Sequence, residues 1–372
     1  MNINVTILGA GPAGCALAAA LIRQGVSSIC IVDPDRGRVE DSFGESIVAL
    51  TRNQIEAAGF RFIEDDHYSY QGNCSSWGNE LLNFKDFSYK VKGGWRLNRQ
   101  KFDAVLKDDV RMMGVDIIAG YRLESLKRRL QKWELTLACK EGNVQVVSDM
   151  VIDASGRNSI LGRCFDIERR AFDKLTCLAT WVDEDIAQDN LLSEYSYVEA
   201  VPYGWWFINQ VSEQKTLIAL MTDLPLIREQ CLNEPEVFAR LLSETKRVLD
   251  YTRGPDRNAE IRPFSANSDR LMTVAGPGWL AVGDAAIGMD PLTSSGIACA
   301  FDDAEVAADL INKWLFHRED DVLRSYCSHI DRAFLRYMNQ RHVQYSYELR
   351  WQTEAFWSVR QHRIKQDAPI GR

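Results

Sequence analysis

The stretch that most constrains this chain is residues 5–33, where VTIL runs into GAGPAG and, after an Ala/Leu-rich run, into SICIVD. Residues 5–8 read as a short buried strand, 9–14 as a tight turn, 15–24 as a helix ending at Gly25, and 28–33 as a second strand. Gly9, Gly11 and Gly14 fit the spacing G-x-G-x-x-G, with Pro12 and Ala13 between them. The first glycine makes the turn, the second lets a pyrophosphate approach, and the third lets helix pack on strand. The helix start adds unpaired N–H groups and a positive dipole end for phosphate. Asp33 closes the second strand, where an acid accepts hydrogen bonds from an adenosine ribose. A dinucleotide is therefore expected, and this motif alone does not separate FAD from NAD. Asp33 would repel a 2′-phosphate, although Arg36 and Arg38 follow closely.

The same apolar stretch could be mistaken for a signal peptide or a membrane span. Its three glycines, its proline and the absence of a preceding basic residue argue against both. At 372 residues, 46% hydrophobic and 26% charged, the chain suits a soluble globular protein of one large domain or two intimate ones. With 44 basic against 52 acidic residues the net charge of -8 argues against nucleic acid, and KRRLQK (127–132) reads as a solvated face. Nine cysteines lie scattered without CxxC or Cys/His spacing, so neither a disulfide framework nor a metal site is indicated. A reduced, cytoplasmic setting is the expectation.

Further along, TRNQIEAAGF and residues 96–114 carry helical spacing, and WELTLAC and VQVVSDMVID read as strands. LATWV, YSYVEAV, WWFINQV and TLIALMT suggest a second sheet within 172–262. LMTVAG and WLAVGD return to short buried strands, and the chain after Gly296 reads as helix. Its aromatic stripe of Tyr345, Tyr347, Trp351, Phe356 and Trp357 is expected to pack in the core.

Three blocks now stand together: GAGPAG, DASGR (153–157) and GDAAIGMDP (283–291). The trio resembles the FAD-dependent monooxygenases that share the fold of aromatic hydroxylases, over nearly the whole chain. The resemblance implies an α/β fold: a Rossmann-type, glutathione-reductase-like FAD-binding domain (1–75, 96–171 and 263–372, with C-terminal helices) and an inserted, mostly antiparallel β-sheet substrate domain (76–95 and 172–262). It implies FAD as cofactor, held by Gly9, Gly11, Pro12, Ala13, Gly14 and Asp33, by Asp153 and Gly156, and by Gly283, Asp284 and Pro291. Asp284 would meet the ribityl chain, and the backbone of Ser295, Gly296 and Ile297 would face the isoalloxazine. Small side chains there leave peptide N–H groups free to stabilise charge on the ring.

FGES (43–46), SSWG (75–78), GGWRLNRQKFD (93–103), EAVPYGWWF (199–207) and GMDPLTSSGI look like the flavin-dependent halogenase branch and its non-halogenating relatives. That likeness implies that Glu45, Ser46 and Arg99 lie near the flavin. Two departures count against halogenation. Tryptophan halogenases carry a lysine after the GE pair where this chain reads YQGNCSSWGNE, and a glutamate where Thr293 stands. The chain looks most like the flavoproteins that mature the tryptophylquinone cofactor of glycine and lysine oxidases. The implied reaction is oxygenation of a tryptophan on an oxidase precursor, using molecular oxygen and an external reductant or reductase. Two alternatives stay open: hydroxylation or halogenation of a small or carrier-bound aromatic, and a flavin-containing chaperone for the precursor. Trp205 and Trp206 are candidates for a substrate-pocket wall, with core packing as the competing reading, since neighbours on a strand face opposite ways. Glu199 and Asp290 are possible proton-handling groups, Asp290 fitting a turn or cap better.

Overall fold

The computed structural model describes residues 2–34, 43–86, 93–184, 190–256, 258–318 and 321–361; Arg36 and Arg38 lie outside them. Its first layer is an eight-stranded sheet. Along one path the order is Ala275–Gly276, Trp279–Ala281, Gly142–Asp153, Asn2–Leu8, Ile29–Asp33 and Asp116–Ala119, and the hairpin Arg122–Arg129/Lys132–Cys139 extends it beside Gly142–Asp153. From Trp279–Ala281 to Asp116–Ala119 the pairings are parallel. Val5, Ile7, Ile31, Val151 and Ile152 are fully buried, because a parallel strand covered on both faces needs continuous apolar residues rather than alternation. In register, Leu8 lies opposite Val32 and Asp153, and Asp153 opposite Ala281. Those strands therefore end at one edge, and the loops following three of them leave side by side.

Helix Pro12–Arg23 covers this sheet and packs on the long helix Gly296–His317. The buried faces are small, with Ala16, Ala19 and Ala20 on one helix and Ala300, Ala304, Ala307 and Ala308 on the other. Small residues let two backbones approach closely, which fixes both helix starts at the same sheet edge.

A second, seven-stranded sheet runs Arg262–Ser265, Leu175–Asp183, Lys215–Asp223, Gly204–Ser212, Tyr195–Val201, Gly72–Ser76 and Asn83–Asp86. One pairing is parallel, Tyr195–Val201 with Gly72–Ser76, and the others are antiparallel. The expected boundary between residues 75 and 76 thus falls inside a strand of this sheet. Alternation splits its side chains between two apolar clusters. Trp206, Ile208, Leu220 and Phe238 share one, and Trp205, Leu217, Met221, Tyr345, Phe356 and Trp357 share the other.

The region read as strands over 172–262 also holds helices Leu224–Gln230, Pro235–Ser243 and Val248–Tyr251. Pro225 and Pro235 sit in the first turns, where a missing N–H is harmless, and Phe238, Leu241 and Leu242 cover the Trp206 face. Of the aromatic stripe, Tyr345, Phe356 and Trp357 are fully buried, whereas Tyr347 is largely exposed. KRRLQK runs through the turn of the Arg122–Cys139 hairpin, where Leu130 and Gln131 take positive φ and the side chains are exposed apart from Leu126 before it. Among the described residues no helix is long and apolar enough to cross a membrane.

Candidate active site

The three glycine blocks meet at the shared strand edge. Ala154 N donates to Leu8 O at 3.0 Å and Val282 N to Asp153 O at 2.9 Å, continuing the parallel ladders into the loops. Gly9 has φ +121°, and a Cβ there would overlap the carbonyl oxygen of Ala154. A Cβ on Gly14 would overlap the carbonyl oxygen of Gly9, and one on Gly283 would lie 2.8 Å from the Ala13 Cβ. Those three glycines are required by protein packing alone. Gly11, Gly156 and Gly296 differ, for a Cβ on any of them meets nothing within 4 Å. Their bare backbone faces open space, as a ligand laid along it would need.

Two helices begin here without side-chain caps. Pro12–Arg23 starts after Gly11 and Gly296–His317 after Ser295, and neither preceding residue caps with its side chain. Unpaired N–H groups and positive dipole ends therefore point into one cleft. Ser294 before the second helix takes φ +46°, and Ser295 Oγ lies 3.0 Å from Thr293 Oγ1. Pro291 opens the short 3₁₀ turn Pro291–Thr293, and Ile297 packs half-buried against the main core.

Asp284 stands on the cleft wall. With 47% of its side chain open, it is exposed on the edge where the glycine blocks meet. Burial raises its carboxyl above the ordinary value, while Arg157 and Arg169 pull it down without overcoming that rise. Both arginines also hold the loop. Arg169 donates to the carbonyls of Asp284 and Ala285 at 2.8 and 2.9 Å, and Arg157 to those of Met289 and Asn267 at 2.7 and 2.8 Å. The sequence reading missed both roles. Arg157 closes the DASGR block and could have been suspected, whereas Arg169 carries no local signal.

On the opposite side, Arg99 begins helix Arg99–Met112, capped by Asn98, whose side chain accepts from Lys101 N at 3.1 Å. Its guanidinium binds Glu45 at 2.6 Å and Asp103 at 3.0 Å. Burial alone would lower the Arg99 pKa, but these carboxylates outweigh it and hold the group above its ordinary value. The second oxygen of Glu45 is buried without a hydrogen-bond partner among the described residues. Ser46 Oγ donates to Gly44 O at 3.3 Å, and Asp33 is held by Lys107 at 2.6 Å.

Several expected site residues do other work. Asp153 is fully buried: its carboxylate accepts from Ser155 N and Oγ at 3.1 and 2.5 Å and from Leu161 N at 2.7 Å. Its carboxylate thus shapes the turn that presents Gly156. Trp205 and Trp206 are 2% and 0% exposed on opposite sheet faces, so neither walls an open pocket. Trp205 donates to Tyr345 Oη at 3.1 Å, and Trp206 packs edge-on against Phe238. Asp290 is a cap, accepting from Leu292 N at 2.9 Å and from Arg341 and Tyr345 at 3.0 and 2.8 Å. Glu199 accepts from Tyr197 Oη and Lys246 N, both at 2.8 Å, deep in the sheet.

One half-buried aromatic group lies beside the FGES loop. Phe43, Trp181 and Phe264 meet edge-to-face at 4.9–6.1 Å, with Arg262 5.5 Å from the latter two rings. They share the Trp205-side cluster with Phe207 and Leu292. Asn209 ties this face to the FGES loop, donating to the carbonyls of Phe43 and Gly44 at 3.3 and 2.9 Å. Among the described residues no group of three His, Cys, Asp or Glu is placed to hold a metal.

Relatives share this plan. The FAD-dependent oxidoreductase LodB of Marinomonas mediterranea is 24% identical over 96% of this chain and 97% of LodB. A tryptophan 2-halogenase of Chondromyces crocatus is 26% identical over 82% of this chain and 60% of its own length. Among solved structures, the peptidyl tryptophan dihydroxylase QhpG, essential for tryptophylquinone cofactor biogenesis, superposes with a TM-score of 0.82 at 21% identity, covering 99% of this chain and 80% of QhpG. The flavin-dependent halogenase CmlS gives 0.82 at 22% identity, covering 99% of this chain and 69% of CmlS. Residues 2–340 match the FAD binding domain family. A cleft floored by bare glycine backbone, edged by two uncapped helix starts and walled by Asp284 fits an extended dinucleotide, and the chain belongs to that family as an FAD-dependent oxidoreductase.

Proposed function

We propose that this protein oxygenates a tryptophan side chain of a partner amino-acid oxidase precursor during tryptophylquinone biogenesis. The observation that carries the reading is the half-buried trio Phe43, Trp181 and Phe264, held to the FGES loop through Asn209. Edge-to-face packing offers ring faces and edges to a further aromatic ring, a suitable wall for an indole. The fold shared with QhpG supports the same reading, and near-complete mutual coverage with LodB supports FAD-dependent redox chemistry.

FAD, when bound, supplies the redox chemistry between an external reductant, oxygen and the aromatic ring. This chain binds and orients it. Gly11, Pro12 and Ala13 offer the first helix start to the pyrophosphate, and Asp33, steadied by Lys107, takes the adenosine ribose. Arg99, held by Glu45 and Asp103, lies along the cofactor, with Ser46 on the adjoining strand. Asp284 accepts from the ribityl hydroxyls, while Gly156, Pro291, Ser295, Gly296 and Ile297 keep bulk away from the ring. The seven-stranded sheet presents the aromatic wall and excludes water.

The test is coexpression of an oxidase precursor with and without this protein, followed by mass spectrometry of its tryptophan peptides. Added oxygen on tryptophan is expected only with the wild-type protein; unchanged peptides overturn the reading. Similarity to the tryptophan 2-halogenase favours a second reading, halogenation of a small aromatic. Incubating reduced enzyme with bromide, oxygen and free indoles would then give a brominated product, which the leading proposal does not expect.

A further inference from the structure

Four arginines are fully buried among the described residues: Arg96, Arg270, Arg341 and Arg360. Three of them carry a carboxylate. Arg270 pairs with Asp331 at 2.6 Å, Arg341 with Asp173 and Asp290 at 2.9 and 3.0 Å, and Arg360 grips Asp223 through two nitrogens at 2.6 and 2.8 Å. Arg96, 1% exposed, has none. Its Nε and both terminal nitrogens are buried without a hydrogen-bond partner among the described residues.

What surrounds Arg96 does not neutralise it. It ends strand Gly94–Arg96, the middle strand of a three-stranded sheet, in register with Ser46 on one side and Tyr68 on the other. Its guanidinium sits 5.3 Å from the centre of the Tyr70 ring. Burial lowers its pKa to about 10, and the opposing charge interaction comes from the Tyr70 phenol rather than from any acid. A cation–ring contact offsets only part of the cost of removing a guanidinium from water, so a buried one without a counter-charge is the arrangement proteins avoid. The partner left unspecified by the side chains is an anion.

We propose that Arg96 is the fixed cation of a small-anion site in this sheet, taking a halide-sized monovalent ion. Space sets the size. A Cβ on Gly94 would already lie 2.7 Å from the Tyr70 ring, and the guanidinium has almost no outlet to solvent, which excludes a bulky carboxylate ligand. Position sets the consequence. Ser46 follows Glu45, whose carbonyl accepts from Leu97 N at 2.9 Å, so an anion on Arg96 fastens the strands that carry the Glu45–Arg99 pair. The site would tie halide concentration to the rigidity of one cleft wall whatever substrate the protein takes.

The test uses the full-length protein and bromide as probe. Crystals grown in sodium bromide should show an anomalous bromine peak against the Arg96 guanidinium. In solution, replacing gluconate by chloride at constant ionic strength should raise the unfolding midpoint saturably, by roughly 2–4 °C. Arg96→Met should abolish that rise and Arg96→Lys should retain part of it. Should Arg96→Met fail to fold, the bromide crystal decides on wild-type protein. A water or a side-chain carboxylate beside the guanidinium in place of bromide overturns the proposal, as does an equal midpoint in chloride and gluconate.

Discussion

The two large sheets meet their neighbours with opposite materials. At the edge of the eight-stranded sheet the contacts are made by backbone and a single methyl group: Gly9 against the Ala154 carbonyl, Gly14 against the Gly9 carbonyl, Gly283 against the Ala13 methyl. On the seven-stranded sheet they are made by the largest side chains in the protein, Trp205 and Trp206 on its two faces and Trp357 in the same cluster as the first of them. A surface of bare backbone can stabilise a ligand with N–H groups but has no room to give. A surface of large rings gives shape and apolar burial but depends on every ring being present. One region should fail on added volume and the other on removed volume.

The largest expected effect is therefore at Gly14. Gly14→Val puts atoms onto the Gly9 carbonyl, part of a backbone whose Gly9 N–H is held by Val32 O at 2.9 Å and which cannot move aside as a side-chain tip would. The cost should be about 3 kcal/mol or more, from overpacking against rigid backbone. Urea unfolding of the purified variant, or its failure to accumulate in soluble form, reads this out; stability within about 1 kcal/mol of wild type would break the comparison.

Trp206→Ala removes volume from the far face of the other sheet and should cost about 3–5 kcal/mol through the cavity it leaves beside Phe238. Bound flavin should persist in whatever fraction folds, because this face points away from the FGES loop. Loss of flavin absorbance in folded Trp206→Ala would mean that the sheet faces are coupled, so that the contrast describes local chemistry and not separable regions.

Next come the two substitutions that add or remove little. Gly11→Ala introduces a methyl that meets no protein atom within 4 Å, and Asp284→Ala removes a half-open carboxylate. Gly11→Ala should leave the unfolding midpoint of the apoprotein unchanged and Asp284→Ala should not lower it, while each weakens FAD binding at least tenfold, about 1.4 kcal/mol. Flavin fluorescence titration measures it. If Gly11→Ala binds FAD normally, the open side of that glycine is not where the cofactor lies.

How much of this was legible beforehand follows the same division. Gly9, Gly11 and Gly14 sit within six residues, so a local rule about turns and dipoles reaches them. Even so, the spacing could not tell that Gly9 and Gly14 serve packing while Gly11 faces open space, because Ala154, the residue they meet, is about 140 positions away. Asp153 was named from its block, yet the direction of its carboxylate depends on Ser155 and Leu161 folding back over it. On the second sheet the strands at 175–223 were readable from alternation, but which tryptophan face met which helix was not. Phe43, Trp181 and Phe264 are scattered over 221 positions and converge only when Arg262–Ser265 pairs with Leu175–Asp183 and Asn209 captures the FGES loop. Arg96 stands inside the block GGWRLNRQKFD with no local signal to set it apart, and the lack of an acid beside it among the described residues is visible only in the fold.

The smallest effect sharpens the comparison at one group. Asp284 belongs to the backbone-built edge, yet its carboxyl is held above the ordinary value of 3.8 by burial, with Arg157 and Arg169 only partly offsetting it. A carboxyl whose pKa is higher folded than unfolded binds its proton more tightly in the folded state. The apoprotein therefore gains stability from this group as pH falls through the raised folded value, and loses it as pH rises again. Asp284→Asn removes the dependence, so the variant should exceed wild type in stability near neutral pH, and the gap should close towards about pH 4. Because nearly half of the side chain is open to the cleft, solvent screening keeps the amplitude small. Paired urea titrations of apoprotein and variant across that range measure the gap directly. A gap independent of pH would mean that the arginines neutralise Asp284 fully, making this wall as closed electrostatically as the tryptophan-packed sheet is sterically.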